Sequence, residues 1–150
     1  MPLWEWVVDV LGGLLLLLVL YAVALVLRRR WISRDGGTFE LSHRVVPEHG
    51  TLSGRGWVLG VGRYSGDLLE FFRIFSLSPR PRRVLDRGRL SYDGTRAPSA
   101  AESHSLYAGH VVVGCRSATE TFELAMSQDA VTGFLSWLEA APPGSPPRPR

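Results

Sequence analysis

VLGGLLLLLVLYAVALVL, running from Val10 to Leu27, contains no charged residue and is followed at once by Arg28-Arg29-Arg30. A bilayer's hydrocarbon core, about 30 Å thick, is crossed by a helix of roughly 20 mostly apolar residues. The run nearly meets that length, and Val7 and Val8 extend it while bringing Asp9 to the interface. Its nine Leu and four Val each favour insertion by roughly 0.3–0.6 kcal/mol, which Gly12, Gly13 and Tyr21 only partly offset. A helix apolar on every side can also be the core of a large protein, but about 120 residues remain to surround this one. Residues 10–27 therefore read as a transmembrane helix, and the bilayer as the first partner of the chain.

Charge sets the direction. The flank MPLWEWVVD carries Glu5 and Asp9 and no basic residue, whereas Arg28, Arg29, Arg30 and Arg34 follow the span. Positive flanks stay cytoplasmic. This predicts a short extracytoplasmic tail over 1–9, a single pass through the cell membrane, a basic juxtamembrane linker over 28–37 and a cytoplasmic remainder. Those four arginines then set topology and meet anionic headgroups, at roughly 1 kcal/mol per charge. Trp4, Trp6 and Trp31 suit the two interfacial belts. A cleaved signal sequence competes, since Ala22-Val23-Ala24 has the small-x-small form. Against it stand an acidic n-region and an apolar run that continues past the cut.

The remainder is one modest domain with tails. All 17 basic residues are Arg, and the chain has no Lys and no Asn, a coding bias that weakens arginine abundance as a sign of an anionic ligand. The lone Cys115 excludes an internal disulfide and fits a reducing compartment. The histidines at 43, 49, 104 and 110 lack metal-ligand spacing, so neither a metal nor a cofactor is expected.

Alternation predicts strands. Over 38–46, Phe39, Leu41, His43 and Val45 share the core side, while Glu40, Ser42 and Arg44 face solvent. Residues 47–56 form a loop, and Trp57, Leu59 and Val61 alternate in a second strand opposite Gly60 and Gly62. Ser65-Gly66-Asp67 turns into a third strand over 68–77, apolar on both faces. One face meets the core; the other requires cover from a partner, the bilayer surface or a later segment. Residues 78–83 are a Pro/Arg loop, followed by strand pieces at 84–86 and 89–92, an Asp93-Gly94 turn and a mobile small-residue loop over 97–105. Strands over 106–116 and 119–126 point Val111, Val113, Cys115, Phe122, Leu124 and Met126 inward and Thr121 and Glu123 outward. The period then becomes helical. Ser127 caps a helix over about 127–141 with Val131, Phe134, Leu135 and Leu138 in one stripe. Pro142 and Pro143 end it, and 142–150 is a disordered Pro/Arg tail.

This order is α+β: a transmembrane helix, then a small antiparallel β barrel or split sandwich over 38–141 capped by a C-terminal amphipathic helix. In element order the domain resembles the pleckstrin-homology-like fold. The whole chain up to about Ala141 resembles a family of actinobacterial single-pass membrane proteins of unknown function. The resemblance rests on Leu25-Val-Leu-Arg-Arg-Arg30, Gly37-Thr-Phe-Glu-Leu-Ser42, Arg55-Gly-Trp-Val-Leu-Gly-Val-Gly-Arg-Tyr64 and Glu123-Leu before the last helix. It brings no catalytic residues. It implies a gene neighbourhood beside ATP synthase and, at most, that context for a membrane-protein partner.

No catalytic set emerges. The glycines over 54–62 fit neither phosphate-loop nor dinucleotide spacing and read as relief of strand crowding or as room for a tryptophan to pack. No G-x-S-x-G elbow exists, and Cys115, in register with Val111 and Val113, reads as an inert buried thiol. Arg80, Arg82, Arg83, Arg87 and Arg89 form a second basic cluster: a site for acidic lipid or an acidic protein partner, or an ordinary solvated loop. Nucleic acid is not expected, for want of a recognition motif or interleaved aromatics. The expectation is a non-enzymatic, membrane-anchored adaptor recognising a membrane protein or anionic lipid. The alternative is a small-ligand sensor or enzyme with His43, His49 or His110 in a barrel-end pocket.

Overall fold

A computed structural model describes residues 2–34, 37–47 and 54–140. His49, most of the loop before Trp57 and the expected tail over 142–150 lie outside the described residues. Helix α1 runs Leu3–Ser33, 31 residues, about 46 Å at 1.5 Å per residue. It continues well past Leu27 because arginine is a good helix former and Arg30 in the last turn meets the negative end of the dipole. The expected break into a linker at Arg28 does not occur. It is long and apolar enough to cross a membrane. The leucines from Leu11 to Leu20 are exposed, and only Ile32 near the C-terminal end is buried.

The rest is a curled seven-stranded antiparallel sheet, a half-barrel, with a closing helix. Strands β1 (Thr38–Val45), β2 (Val58–Ser65), β3 (Leu68–Arg73) and β4 (Arg83–Asp86) form one meander. Strands β5 (Ser91–Arg96), β6 (Val111–Arg116) and β7 (Thr121–Met126) form a second. Pairing of β1 with β7 joins them in the order β4-β3-β2-β1-β7-β6-β5. Helix α3 (Gln128–Glu139) follows, with Ser127 Oγ accepting from the Ala130 amide. Its Val131 and Phe134 close over Leu41, Phe71, Phe122 and Leu124 on the inner face. Each fully buried side chain of this kind contributes roughly 1.5–3 kcal/mol. At the far end of α3, Trp137 Nε1 donates to the Gly66 carbonyl at 2.8 Å and fastens the helix to the β2–β3 turn.

Gly60 and Gly62 pair with Leu41 and Phe39 across the inner face. A Cβ on Gly60 would sit 2.6 Å from the Phe71 ring, and one on Gly62 2.8 Å from Phe39. Relief of crowding is thus their role, with phenylalanines rather than a tryptophan filling the space.

Five local expectations change. The strand expected from Leu106 begins only at Val111, with residues 106–110 outside the sheet. β3 ends at Arg73, and Ile74 to Leu77 leave the sheet. Asp93-Gly94 is no hairpin turn but a register shift inside β5, where Gly94 takes φ 139°. Within 97–105 lies a short helix α2 (Ala100–Ser103), closed by a capping box in which Ser99 and Glu102 bond each other's amides. Ser42, Arg44 and Glu123 point to the outer face as their alternation requires, yet all are buried rather than bathed in solvent.

Candidate functional site at the junction of helix and sheet

The C-terminal turns of α1 dock on the outer face of β1–β3. Ile32 is 2 % exposed, and its carbonyl accepts from Arg63 Nη1 at 3.3 Å. Arg63 is itself held by Glu70 at 2.6 Å and stacks 5.1 Å over Phe72, which supplies the cover that the second apolar face of β3 needs. Ser33 Oγ lies 3.2 Å from Thr38 Oγ1. The stretch after β3 turns back along α1. Arg28 donates through Nη1 to the Arg73 carbonyl at 3.0 Å and through Nε to the Ser78 carbonyl at 2.9 Å. Higher on the same helix, the Tyr21 hydroxyl donates to the Phe75 carbonyl at 3.3 Å.

Between α1 and the sheet these contacts leave a cavity of about 370 Å³. Leu25, Val26, Ile74 and Phe75 make its apolar side, and Arg29, Glu40 and Tyr107 its polar side. The Tyr107 hydroxyl is buried and has no hydrogen-bond partner among the described residues. Burial and the Glu40 carboxylate raise its pKa, and the Arg29 charge pulls the other way. Behind it, His110 packs ring to ring with Tyr107 at 5.1 Å and places Nε2 3.6 Å from Glu40 Oε2. Burial holds His110 below its ordinary value despite Glu40. The cavity thus joins an apolar wall continuous with α1 to a guanidinium, the Glu40 carboxylate and a hydroxyl without a partner among the described residues.

A second group of charges is internally satisfied. Arg44 lies on β1 directly opposite Glu123 on β7, and its Nη2 meets Glu102 Oε1 at 2.8 Å. Arg96 Nη1 reaches Glu102 Oε2 at 2.8 Å, and its Nη2 reaches Glu123 Oε1 at 3.0 Å. The Trp57 ring stacks 4.6 Å from the Arg44 guanidinium. Two cations and two carboxylates balance. Hydrogen bonding from Arg96 holds the Glu102 carboxyl down at about 2, against burial that raises it. This ties α2 and three strands together, with the four charges balanced among the described residues.

The arginines singled out in the sequence do not act as one cluster. Arg83 forms an ion pair with Glu120 and donates from Nη1 to His43 Nε2 at 2.7 Å. Arg87 pairs with Asp67 and donates to the Trp137 carbonyl at 3.2 Å. Arg80, Arg82 and Arg89 are exposed, as are Arg29, Arg30 and Arg34. Arg82 shares with His43 and Phe71 an inner-face cleft of about 480 Å³. Burial first, and the Arg83 charge second, push His43 down to about 4. His43 faces inward and His110 outward, so the sheet separates them and they build no joint pocket. Cys115 is wholly buried, its thiol pushed up to about 12 by burial and by Asp93. Among the described residues, no three His, Cys, Asp or Glu side chains converge to hold a metal.

Sequence reading missed the junction. Its one available signal was Tyr21, a lone hydroxyl inside the apolar run.

Comparison with known proteins places this architecture. An uncharacterized protein of Mycobacterium leprae (strain TN) is 36% identical over 139 residues, covering 89% of this chain and 92% of the relative. Uncharacterized proteins of Mycobacterium tuberculosis, from strains H37Rv and CDC 1551, match with the same identity and the same coverage. A family model described as protein of unknown function (DUF2550) matches residues 15–144. From the apolar helix to the closing helix, the chain belongs to the DUF2550 family.

Proposed function

We propose that the protein is a membrane-anchored binding module with no catalysis of its own. Its sheet is held at the cytoplasmic face by α1, where it recognises an anionic lipid. The acidic flank before the span and the arginines after it support that orientation. The observation that carries the reading is the junction cavity, where Arg29 and the Tyr107 hydroxyl, without a hydrogen-bond partner among the described residues, sit beside an apolar wall that continues α1. A phosphodiester would accept from both groups, with its chains lying along Leu25 and Val26. The exposed Arg80 lies two residues beyond Ser78, whose carbonyl is bonded to Arg28, and so adds charge at headgroup level. Bound lipid presents this face of the module to a membrane-protein partner, which is the adaptor role.

The test is native mass spectrometry of the full chain released from nanodiscs of mixed phosphatidylglycerol and phosphatidylcholine. Retention of phosphatidylglycerol in preference to phosphatidylcholine, reduced in Arg29→Ala and Tyr107→Phe, is the expected result. Equal retention of the two lipids, or variants indistinguishable from the parent, would overturn the assignment.

A further inference from the structure

We propose that residues 74–78, the start of the β3–β4 connection, form a wedge seated among the acyl chains of the leaflet through which the C-terminal end of α1 leaves the membrane. The loop shares Ile74 and Phe75 with the cavity wall, but its depth in the bilayer does not depend on the anionic-lipid reading.

Depth is the first argument. The hydrogen bond from Tyr21 to the Phe75 carbonyl places the loop's tip beside a residue seven positions before Arg28. At 1.5 Å per residue that is about 10 Å along the helix, well inside the charge-free run. Composition is the second. Ile74-Phe75-Ser76-Leu77 has no charge; Phe75 is 77 % exposed and Leu77 49 %, both turned away from the sheet's core. The nearest charges in sequence are Arg73 before the loop and Arg80 after it, placed to reach the headgroups while the stretch between them goes deeper.

The backbone supplies the third argument. An unpaired backbone group below the headgroups is costly, so partners within the protein govern how deep irregular chain can sit. Here the carbonyls of Arg73, Phe75 and Ser78 accept from Arg28, Tyr21 and Arg28 respectively. The Ile74 amide donates to the Leu59 carbonyl at 3.3 Å, and the Ser78 amide to Ser76 Oγ at 3.2 Å. Two of the loop's carbonyls, Phe75 and Ser78, are thus met by side chains of the span, which gives the hydroxyl at position 21 a role. Arg28 serves here as a donor to backbone, beyond any part in topology. The occupant around the loop is lipid, because the wedge's apolar surface continues the exposed side of α1.

The experiment uses the full chain in phosphatidylglycerol–phosphatidylethanolamine vesicles. Phe75→Cys and Leu77→Cys are spin-labelled in a Cys115→Ala background, with Leu18→Cys as the mid-span reference and Tyr92→Cys as the exposed reference on the sheet. Collisions with oxygen, which concentrates in lipid, are compared with collisions with a water-soluble nickel chelate. Labels at 75 and 77 should resemble 18, with an oxygen-to-nickel ratio several-fold above that at 92. In Phe75→Asp, the label at 77 should gain nickel collisions as the carboxylate draws the loop to water. A ratio at 75 and 77 equal to that at 92 would overturn the proposal. So would labels shielded from both reagents, which would mean a protein covers the loop, and so would a label at 77 unmoved by Phe75→Asp.

Discussion

Replacing Arg44 with alanine should unfold the sheet's outer side more effectively than any other single loss of charge. Arg44 is 4 % exposed, and Glu102, one of its two acidic partners among the described residues, is 1 % exposed. In the parent, two guanidiniums balance two carboxylates. Without Arg44 both carboxylates depend on Arg96, whose side chain is 36 % exposed, and one buried negative charge is uncompensated. Breaking a buried pair in this way costs about 3–5 kcal/mol, a large share of the roughly 5–15 kcal/mol that holds a domain folded. For a domain of this size the melting temperature should fall by on the order of 15–30 °C. The assay is near-ultraviolet circular dichroism of the full chain in nanodiscs, where thermal loss of aromatic ellipticity reports the sheet. The double variant Arg44→Met, Glu123→Met removes one charge of each sign and leaves Arg96 with Glu102, so it should recover much of the loss. A single variant within about 1 kcal/mol of the parent, or a double variant no more stable than the sum of the two singles, would refute the reasoning.

Other outcomes follow from the same geometry. His43 is held at about 4 when folded against 6.5 in the free side chain, so between those values the unfolded chain binds the proton and the folded one does not. Stability should therefore fall as pH drops through that window, by up to roughly 3 kcal/mol, and His43→Gln should flatten the melting temperature across it. Gly60→Val drives a branched side chain into Phe71 and the β3 backbone and should cost about 1–3 kcal/mol or more, measured by chemical denaturation in detergent micelles. Phe134→Ala empties the contact between α3 and the inner face and should cost about 3–5 kcal/mol in the same assay. Cys115 should resist maleimide at pH 8 in the native protein and react only as urea unfolds it, because its thiol is buried and its thiolate disfavoured.

Periodicity made the inner face readable. Leu41 and Phe122 alternate with polar neighbours, and the i, i+3, i+4 stripe of α3 begins at a serine cap, so each pattern names the side that is dry. The outer face was opaque for the same reason. Ser42, Arg44 and Glu123 occupy polar positions of the alternation, and nothing local distinguishes a charge in water from a charge under a third layer. That layer, Trp57 and α2, comes from other parts of the chain. A trace of it stood in Ser99-Ala-Ala-Glu102, whose spacing is that of a capping box, inside a stretch whose small residues suggest a loop. The apolar run through Leu77 reads as strand, because alternation does not distinguish a strand from a loop that turns along a neighbouring helix. Five arginines close in sequence suggest one basic surface, yet the β4 register sends Arg83 inward to Glu120 and the turn at Arg87–Arg89 sends Arg87 to Asp67.

The burial of Ile32 in the last turn of α1, clasped by Arg63, has a mechanical consequence. A rod gripped at its end by the body it carries acts as a lever and not as a tether. A membrane-spanning stretch longer than the local bilayer accommodates by inclining, and in a bilayer thinner than the apolar run of α1 such an inclination would carry the half-barrel with it. Membrane thickness would thereby set which surface of the sheet is presented to its surroundings.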